Sequence, residues 1–214
     1  MARFAELAAL CRALAGTPGR LEKRRLAAEY LAGLPLDDVP NAVAFLIGRP
    51  FPASDPRALH VSGLPAAPAP ASEPSLTLAD VATTFADVAD AAGAGSRRGR
   101  VVRLTALVAQ ASEPARQALA GIVTGEMRMG LSDGLMLEAI AGAAGANLAP
   151  VRRAALFLGD LSAVAALALG GGAAAPARVT PRLFVPLLPM LAEIATDFDD
   201  VLAAHGATSA LEYK

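Results

Sequence analysis

Hydrophobic residues recur at helical spacing through most of this chain. In the first 15 residues one helical stripe collects Phe4, Leu7, Cys11 and Leu14. Further along, the same spacing returns in Val81, Phe85, Val88 and Ala92. Over all such segments, the spacing predicts about nine helices and no alternating strands before residue 180. The pattern therefore predicts an all-α domain over residues 1–170.

Polar capping residues and glycines indicate where these helices begin. Thr17-Pro18 is predicted to open the second helix and Asp37-Asp38 the third. Thr77 with Asp80 resembles a capping box, with Asp in place of the usual Glu. The remaining helix starts are predicted at Ser96, Ser112, Ser132, Asn147 and Asp160. Predicted core faces include Leu21, Leu26, Tyr30 and Leu31 in the second helix, and Val101, Leu104, Leu107 and Val108 in the helix from Ser96.

Two stretches interrupt this pattern. Residues 65–75, PAAPAPASEPS, combine proline and alanine without periodicity and predict a linker or crossing loop. GGGAAAPA, residues 170–177, predicts a hinge, and we assign residues 171–182 to a linker. Beyond it the composition changes: FVPLLPMLAE reads as extended, FDDVLAAHG as a short helix ending at Gly206, and SALEYK as a strand. Residues 183–214 are thus predicted to begin a second domain.

The composition mainly argues against certain classes of protein and site. Hydrophobic residues make up 54% of the 214, many of them alanine, which favours closely packed helices over a membrane protein. The net charge of −1 indicates no particular partner, and no targeting segment is visible. The single Cys11 fits a reducing cytoplasm and is predicted to be a buried, inert thiol. His60 and His205 lack partners at metal-ligand spacing, so no metal site is predicted.

Arginine dominates the basic residues, since only Lys23 and Lys214 are lysines. Arg97, Arg98 and Arg100 fall in the first turns of the helix from Ser96, where free backbone amides also favour anions. This cluster could contact phosphate or could be an ordinary solvated basic face. The residues alone leave both interpretations open.

The segment GEMRMGLSDGLMLEAIA, residues 125–141, carries a second candidate site. Gly125 and Gly130 flank Arg128 just before a helix, and glycines let a backbone approach a phosphate or sugar closely. By spacing alone, a plain turn between helices is the favoured reading.

Four elements together resemble ATP-dependent DNA ligases. GEMRMGLSDGLMLEAIA is similar to the glycine–arginine–glycine loop and following helix of their DNA-binding domain. LTLADVATTFADVADAAGAGSRRGRVVRLTALVAQA resembles the preceding segment, PLLPMLAE the entry to the adenylation domain, and EYK the start of the E-x-K-x-D-G motif. Their order and spacing agree over nearly the whole chain, and the likeness is to prokaryotic ligases with a helical N-terminal domain.

The resemblance implies a function for each part. The helical domain would bind nicked double-stranded DNA without reading sequence, through Arg97, Arg98, Arg100, Gly125, Arg128 and Gly130. Residues 183–214 would begin an α+β nucleotidyltransferase domain that breaks off at Lys214, so a truncated and inactive piece is expected. Lys214 would be the nucleophile that takes AMP from ATP with Mg²⁺, and Glu212 would contact the adenine base. Glu126 departs from family members with a basic residue there, which weakens the case for a phosphate contact at that side chain.

The resemblance also implies a monomeric, cytoplasmic, nucleoid-associated prokaryotic enzyme of DNA replication, repair or recombination. Two interpretations from other classes stay open. One is a stand-alone helical DNA-binding module without catalysis, and the other is an all-α protein-interaction scaffold. RNA ligases and capping enzymes share the lysine motif, but the helical domain ahead of it is not a feature that we associate with them.

Overall fold

The computed structural model describes residues 1–66, 69–71, 75–187 and 197–206. Within them the chain is helical, and its only β-type pairing is an isolated bridge between Arg3 and Thr77. The ten described α-helices are α1 (Phe4–Gly16), α2 (Arg20–Ala32), α3 (Val39–Leu46), α4 (Leu78–Ala89), α5 (Ser96–Ala109), α6 (Glu113–Thr124), α7 (Asp133–Ala143), α8 (Leu148–Leu158), α9 (Leu161–Gly171) and α10 (Phe198–His205). Two short 3₁₀ helices cover Leu36–Asp38 and Ala175–Arg178. The predicted all-α class is confirmed for this part of the chain.

One hydrophobic core joins α1 to α9. Short α3 is buried along nearly its whole length and packs against α9, α4 and α1, while α2 packs along α7 and α1 along α6. The rings of Phe4, Phe45 and Phe85 meet edge to face, with centroids 6.2 and 5.8 Å apart, and so tie α1, α3 and α4 together. Aromatic pairs in this geometry add to the stability that burial alone provides.

A backbone clasp fixes the start of α1 beside the start of α4. The Phe4 amide donates to the Leu76 carbonyl at 2.8 Å, and the Leu78 amide donates to the Ala2 carbonyl at 3.0 Å. Thr77 and Asp80 then form the predicted capping box, because the side chain of each accepts a hydrogen bond from the backbone amide of the other. The long crossing loop between α3 and α4 therefore ends at a defined position.

The predicted start of the second helix is wrong. Thr17 belongs to the end of α1, where its hydroxyl donates to the Ala13 carbonyl at 2.7 Å, and α2 begins only at Arg20 after Gly19. Leu21, predicted to face the core, is 69% exposed because the buried face of α2 is the one that carries Ala27 and Leu31. A Thr-Pro pair fits the end of one helix as well as the start of the next, so the local signal did not separate the two.

Four of the predicted N-cap residues differ in whether their side chains accept a capping hydrogen bond. The side chains of Ser132 and Asp160 accept hydrogen bonds from the Leu135 and Ser162 amides, as expected for N-caps. Ser112 and Asn147 occupy the same positions before α6 and α8, but in the described structure their side chains accept no such bond. Their helices begin where predicted all the same.

The glycine-rich stretch at the end of α9 forms a tight corner, and the predicted hinge or linker there stays a prediction. A Cβ on Gly171 would lie 2.7 Å from the Ala175 Cβ, so only glycine lets the chain fold back at this distance. The following 3₁₀ helix packs on α8 and α9, Ala175 and Pro176 are buried, and the Ala177 carbonyl accepts a hydrogen bond from Arg153 at 2.6 Å. Within the predicted 171–182 linker, Ala175 and Pro176 are therefore packed, while the linker and the domain boundary themselves stay predictions.

The described residues after Arg178 are mostly exposed. Leu183 and Phe184 point to solvent, and α10 has no buried residue. The predicted short helix ending at Gly206 is confirmed as α10. Most of the predicted extended segment and the whole predicted strand, including Glu212 and Lys214, lie outside the described residues. Among the described helices, none combines the length and apolar character that a membrane crossing requires.

Candidate nucleic-acid interface

The loop between α6 and α7 turns sharply through three residues with left-handed backbone. Gly125 ends α6 with φ 76°, Arg128 has φ 47°, and Gly130 has φ 68°. Glycine adopts this conformation without strain, whereas arginine there carries a conformational cost that its surroundings must offset. The predicted glycine–arginine–glycine element is therefore a defined turn that presents Arg128 at its apex.

Close contacts hold this loop against the helical body. A Cβ on Gly121 would lie 2.8 Å from the Met127 sulfur, and a Cβ on Gly48 would lie 3.2 Å from the Gly125 carbonyl oxygen. The Glu126 amide also donates to the Gly121 carbonyl at 3.0 Å. Glycines at 48 and 121 thus let the loop sit directly on the ends of α3 and α6.

A groove of about 350 Å³ runs between this loop and the end of α3. It is lined by Leu46 and Ile47 on one side and by loop residues, including Arg128 and Gly130, on the other. The groove mixes apolar walls with backbone and one cation, a combination suited to a sugar–phosphate chain.

Arg128 is exposed but already paired. Its side chain is 82% exposed, and its guanidinium donates two hydrogen bonds to a Glu126 carboxylate oxygen, at 2.5 and 3.2 Å. The side chain is therefore available to a phosphate, yet part of its charge is neutralised within the loop.

Lys23 reaches the loop from α2. Its ammonium group donates to the Met129 carbonyl at 2.6 Å and lies 2.5 Å from the position that a Cβ on Gly130 would occupy. In the sequence, Lys23 stands out only as one of two lysines, and no motif gives it a role. Its rarity among 19 basic residues was the one signal that could have singled it out.

The arginines at the start of α5 divide into two roles. Arg97 and Arg98 are exposed in the first turn, after Gly95 ends the preceding turn with φ 82°. Arg100 is half-buried instead, and its guanidinium donates to the Val88 carbonyl at 3.1 Å and the Ala91 carbonyl at 2.6 Å. Arg100 therefore binds the carboxyl end of α4, a favourable place for a cation. The prediction that Arg97, Arg98 and Arg100 contact DNA stays a prediction.

A groove of about 670 Å³ separates the α5 arginines from residues 60–65 of the crossing loop. Val101 lines it and is 45% exposed, so its predicted place in the core is wrong, while Leu104, Leu107 and Val108 are buried as predicted. The α5 arginines and the 125–130 loop thus line separate grooves, each with its own walls.

Among the described residues, no group of three or more His, Cys, Asp or Glu is arranged to hold a metal ion. Cys11 is half-buried and packs against the core, and burial raises the pKa of its thiol to about 12, which favours the predicted inert cysteine.

Comparison with known proteins decides the family. A family model described as DNA ligase N terminus matches residues 64–141. That span contains both the α5 arginines and the 125–130 loop. A probable DNA ligase from Anaeromyxobacter dehalogenans is 42% identical over 99% of this chain, which covers 42% of that relative. This chain belongs to the DNA ligase family.

Further ligase relatives agree. A probable DNA ligase from Beutenbergia cavernae is 42% identical over 91% of the chain and 38% of its own length, and one from a Mycobacterium species is 43% identical over 69% and 28%. The chain thus spans about two fifths of the length of the first curated ligases that it matches. The resemblance to DNA ligases inferred from the four sequence elements is confirmed.

Proposed function

We propose that this chain is the DNA-binding region of an ATP-dependent ligase that seals nicks in duplex DNA. The observation that carries the proposal is that the ligase N-terminal match, residues 64–141, contains both candidate sites, namely the exposed Arg97 and Arg98 and the 125–130 loop. An interaction scaffold would not need a strained arginine at the apex of a turn that glycines hold on the helical body.

Binding in this proposal is to the sugar–phosphate backbone. Arg128 and the glycine-flanked backbone of residues 125–130 contact one stretch, and Arg97 and Arg98 contact another. Phosphate contacts fix position and carry no sequence information, so the affinity depends strongly on salt and weakly on sequence. We reassign Arg100 from a direct contact to a residue that orients the start of α5.

The catalytic part of the proposal rests on the resemblance alone. Lys214 is the proposed acceptor of AMP from ATP, with Mg²⁺ offsetting the phosphate charge, and Glu212 is the proposed adenine contact. Both residues lie outside the described ones. We propose that the 214-residue chain alone is inactive, because a lysine amine becomes nucleophilic only inside a site that lowers its pKa. Incubation with α-labelled ATP and Mg²⁺ should leave the chain unlabelled, and a label on Lys214 would contradict this.

The binding proposal is tested by fluorescence anisotropy with nicked duplexes of several sequences at several salt concentrations. The expected result is similar affinity for all sequences, with a steep loss as salt rises. Arg128→Ala should weaken binding to every duplex and lower the salt slope by about one.

Arg25→Ala is the matched control. Arg25 is also exposed and paired with carboxylates, those of Glu22 and Glu29, but it lies on α2 away from either groove of the proposed interface. It should bind like the parent chain. If Arg128→Ala also binds like the parent, the 125–130 loop is only a turn. If the parent itself does not bind, the scaffold interpretation replaces the DNA-binding one.

A further inference from the structure

The backbone of the 125–130 loop is fastened by a residue about a hundred positions earlier in the chain. Lys23 on α2 donates to the Met129 carbonyl at 2.6 Å, and this bond lies between the two left-handed positions, the strained Arg128 and the permissive Gly130. A hydrogen bond from a charged donor is stronger than one between neutral groups. The hydrogen bond from Lys23 therefore stabilises the backbone next to Arg128, where the loop has its strained conformation.

Gly130 makes room for this contact. A Cβ at residue 130 would lie 2.5 Å from the Lys23 ammonium nitrogen, closer than any real Cβ contact. The glycine thus serves two purposes, a left-handed turn at φ 68° and an opening for the lysine. The pairing also accounts for a lysine in a chain whose basic residues are otherwise arginine up to its last residue, because a compact ammonium group fits where a planar guanidinium would meet the backbone of residue 130.

We propose that Lys23 is a positioning residue that holds Arg128 in its DNA-binding orientation. This inference rests on the proposed function, since it concerns how the same loop meets DNA. Lys23 acts through the Met129 carbonyl and is not itself a phosphate contact. Half-buried against the loop, it has a neighbour, Arg24, that is exposed and lines a different groove between α2 and α7.

The test compares Lys23→Met, which keeps the apolar stem and removes the ammonium group, with Arg24→Met, which removes the same charge from the next residue. Lys23→Met should weaken binding to nicked duplex on the order of tenfold, the loss expected for a hydrogen bond from a charged donor. Arg24→Met should change it little. The salt slope of Lys23→Met should fall by no more than that of Arg128→Ala, because the only phosphate contact at stake is the one that Arg128 makes. The variant that combines both changes should show no further fall. A further fall of about one in that double variant would mean that Lys23 contacts a phosphate itself, and would overturn the proposal.

A double-mutant cycle with Arg128→Ala gives the second readout. If Lys23 acts through Arg128, adding Lys23→Met to Arg128→Ala should cause little further loss of affinity. If the affinity losses of Lys23→Met and Arg128→Ala simply add in the double variant, the proposal is overturned. Gly130→Ala should weaken binding at least as much as Lys23→Met, because its Cβ displaces the ammonium group and also strains the left-handed backbone of residue 130.

Hydrogen exchange separates failure of this inference from failure of the proposed function. In the free chain, Lys23→Met should speed exchange of the Glu126 amide and its neighbours in the loop, and Arg24→Met should not. This readout needs no DNA, so it applies even if the parent chain does not bind duplex. Unchanged exchange in Lys23→Met would show that the loop does not depend on this bond.

Discussion

At the scale of single residues, the pairing of Arg128 with Glu126 limits what the loop can do. The carboxylate competes with any phosphate for the same guanidinium, and it adds a negative charge to the proposed DNA-binding surface. Exposed ion pairs stabilise proteins little, so this pair matters more for binding than for folding.

Glu126→Gln should therefore strengthen binding to nicked duplex by about two- to fivefold, with the larger effect at low salt. Anisotropy titrations at two salt concentrations measure this. Glu22→Gln is the control, since it removes a carboxylate that pairs with Arg25 on α2. Weaker binding by Glu126→Gln would mean that the carboxylate orients Arg128 for its contact.

Arg100 shows a different use of the same residue type. Because it donates to two carbonyls at the end of α4, Arg100→Met should lower the free energy of unfolding by about 1–2 kcal/mol. Arg97→Met should change it by less than about 0.5 kcal/mol, since Arg97 is exposed. Urea unfolding of both variants checks this, and equal stabilities would contradict the assigned role of Arg100.

The arginine cluster also shows what sequence could and could not predict at this scale. The first-turn position of Arg97 and Arg98 followed from the helix start at Ser96. The distinct role of Arg100 did not, because it depends on where the end of α4 comes to lie after a glycine-containing turn. The contact of Lys23 also depends on the tertiary fold, and here the partner is farther away in the sequence. Nothing near residue 23 indicates that a loop some hundred residues later accepts a hydrogen bond from its ammonium group.

At the scale of elements, Asp160 joins two parts of the fold. Its buried carboxylate accepts hydrogen bonds from the Ser162 amide at 2.8 Å, which caps α9, and from the Ser54 amide at 2.9 Å in the crossing loop. Burial opposes ionisation of this carboxyl, but these hydrogen bonds outweigh burial and hold its pKa below the usual range.

Asp160→Asn should consequently destabilise the chain by about 1–2 kcal/mol near neutral pH. Because the pKa of Asp160 is lowered on folding, its contribution is complete above the ordinary carboxyl pKa, about 4, and is lost as the pH falls through the lowered value. The gap between the parent and Asp160→Asn should therefore close in acid. Urea unfolding across this pH range measures it, and a gap that stays constant with pH would show that ionisation of Asp160 is not the cause.

Helix starts were the most predictable elements, because capping is a local property. Thr77 with Asp80 forms the expected box, and Ser132 and Asp160 cap as expected. The GGGAAAPA segment was harder to interpret, because glycine indicates freedom in the unfolded chain and equally permits close approach in the folded one. Only the distance from Gly171 to Ala175 shows which applies here.

At the scale of the whole molecule, helices α1 to α9 and the following 3₁₀ helix form one packed body, and the described residues beyond it contribute little to the core. Val179 still packs against the core, whereas Arg182, Leu183 and Phe184 are exposed. A protease needs an accessible stretch of backbone, so susceptibility should follow this change in packing.

Trypsin should therefore cut first after Arg182 and leave the packed body through residue 182 intact. Arg178 is a poorer site because its neighbours Pro176 and Val179 are packed, and Arg57 in the crossing loop is held by Asp55, Asp90 and the ring of Phe51. Mass spectrometry of a short digest identifies the first product. First cuts within residues 170–178 would instead support the hinge predicted from the glycines.

The purified product should melt like the parent chain and bind nicked duplex with the same affinity and salt slope, because both proposed DNA-binding sites and the Lys23 contact lie within it. A product that melts lower would show that residues after Arg182 stabilise the helical body.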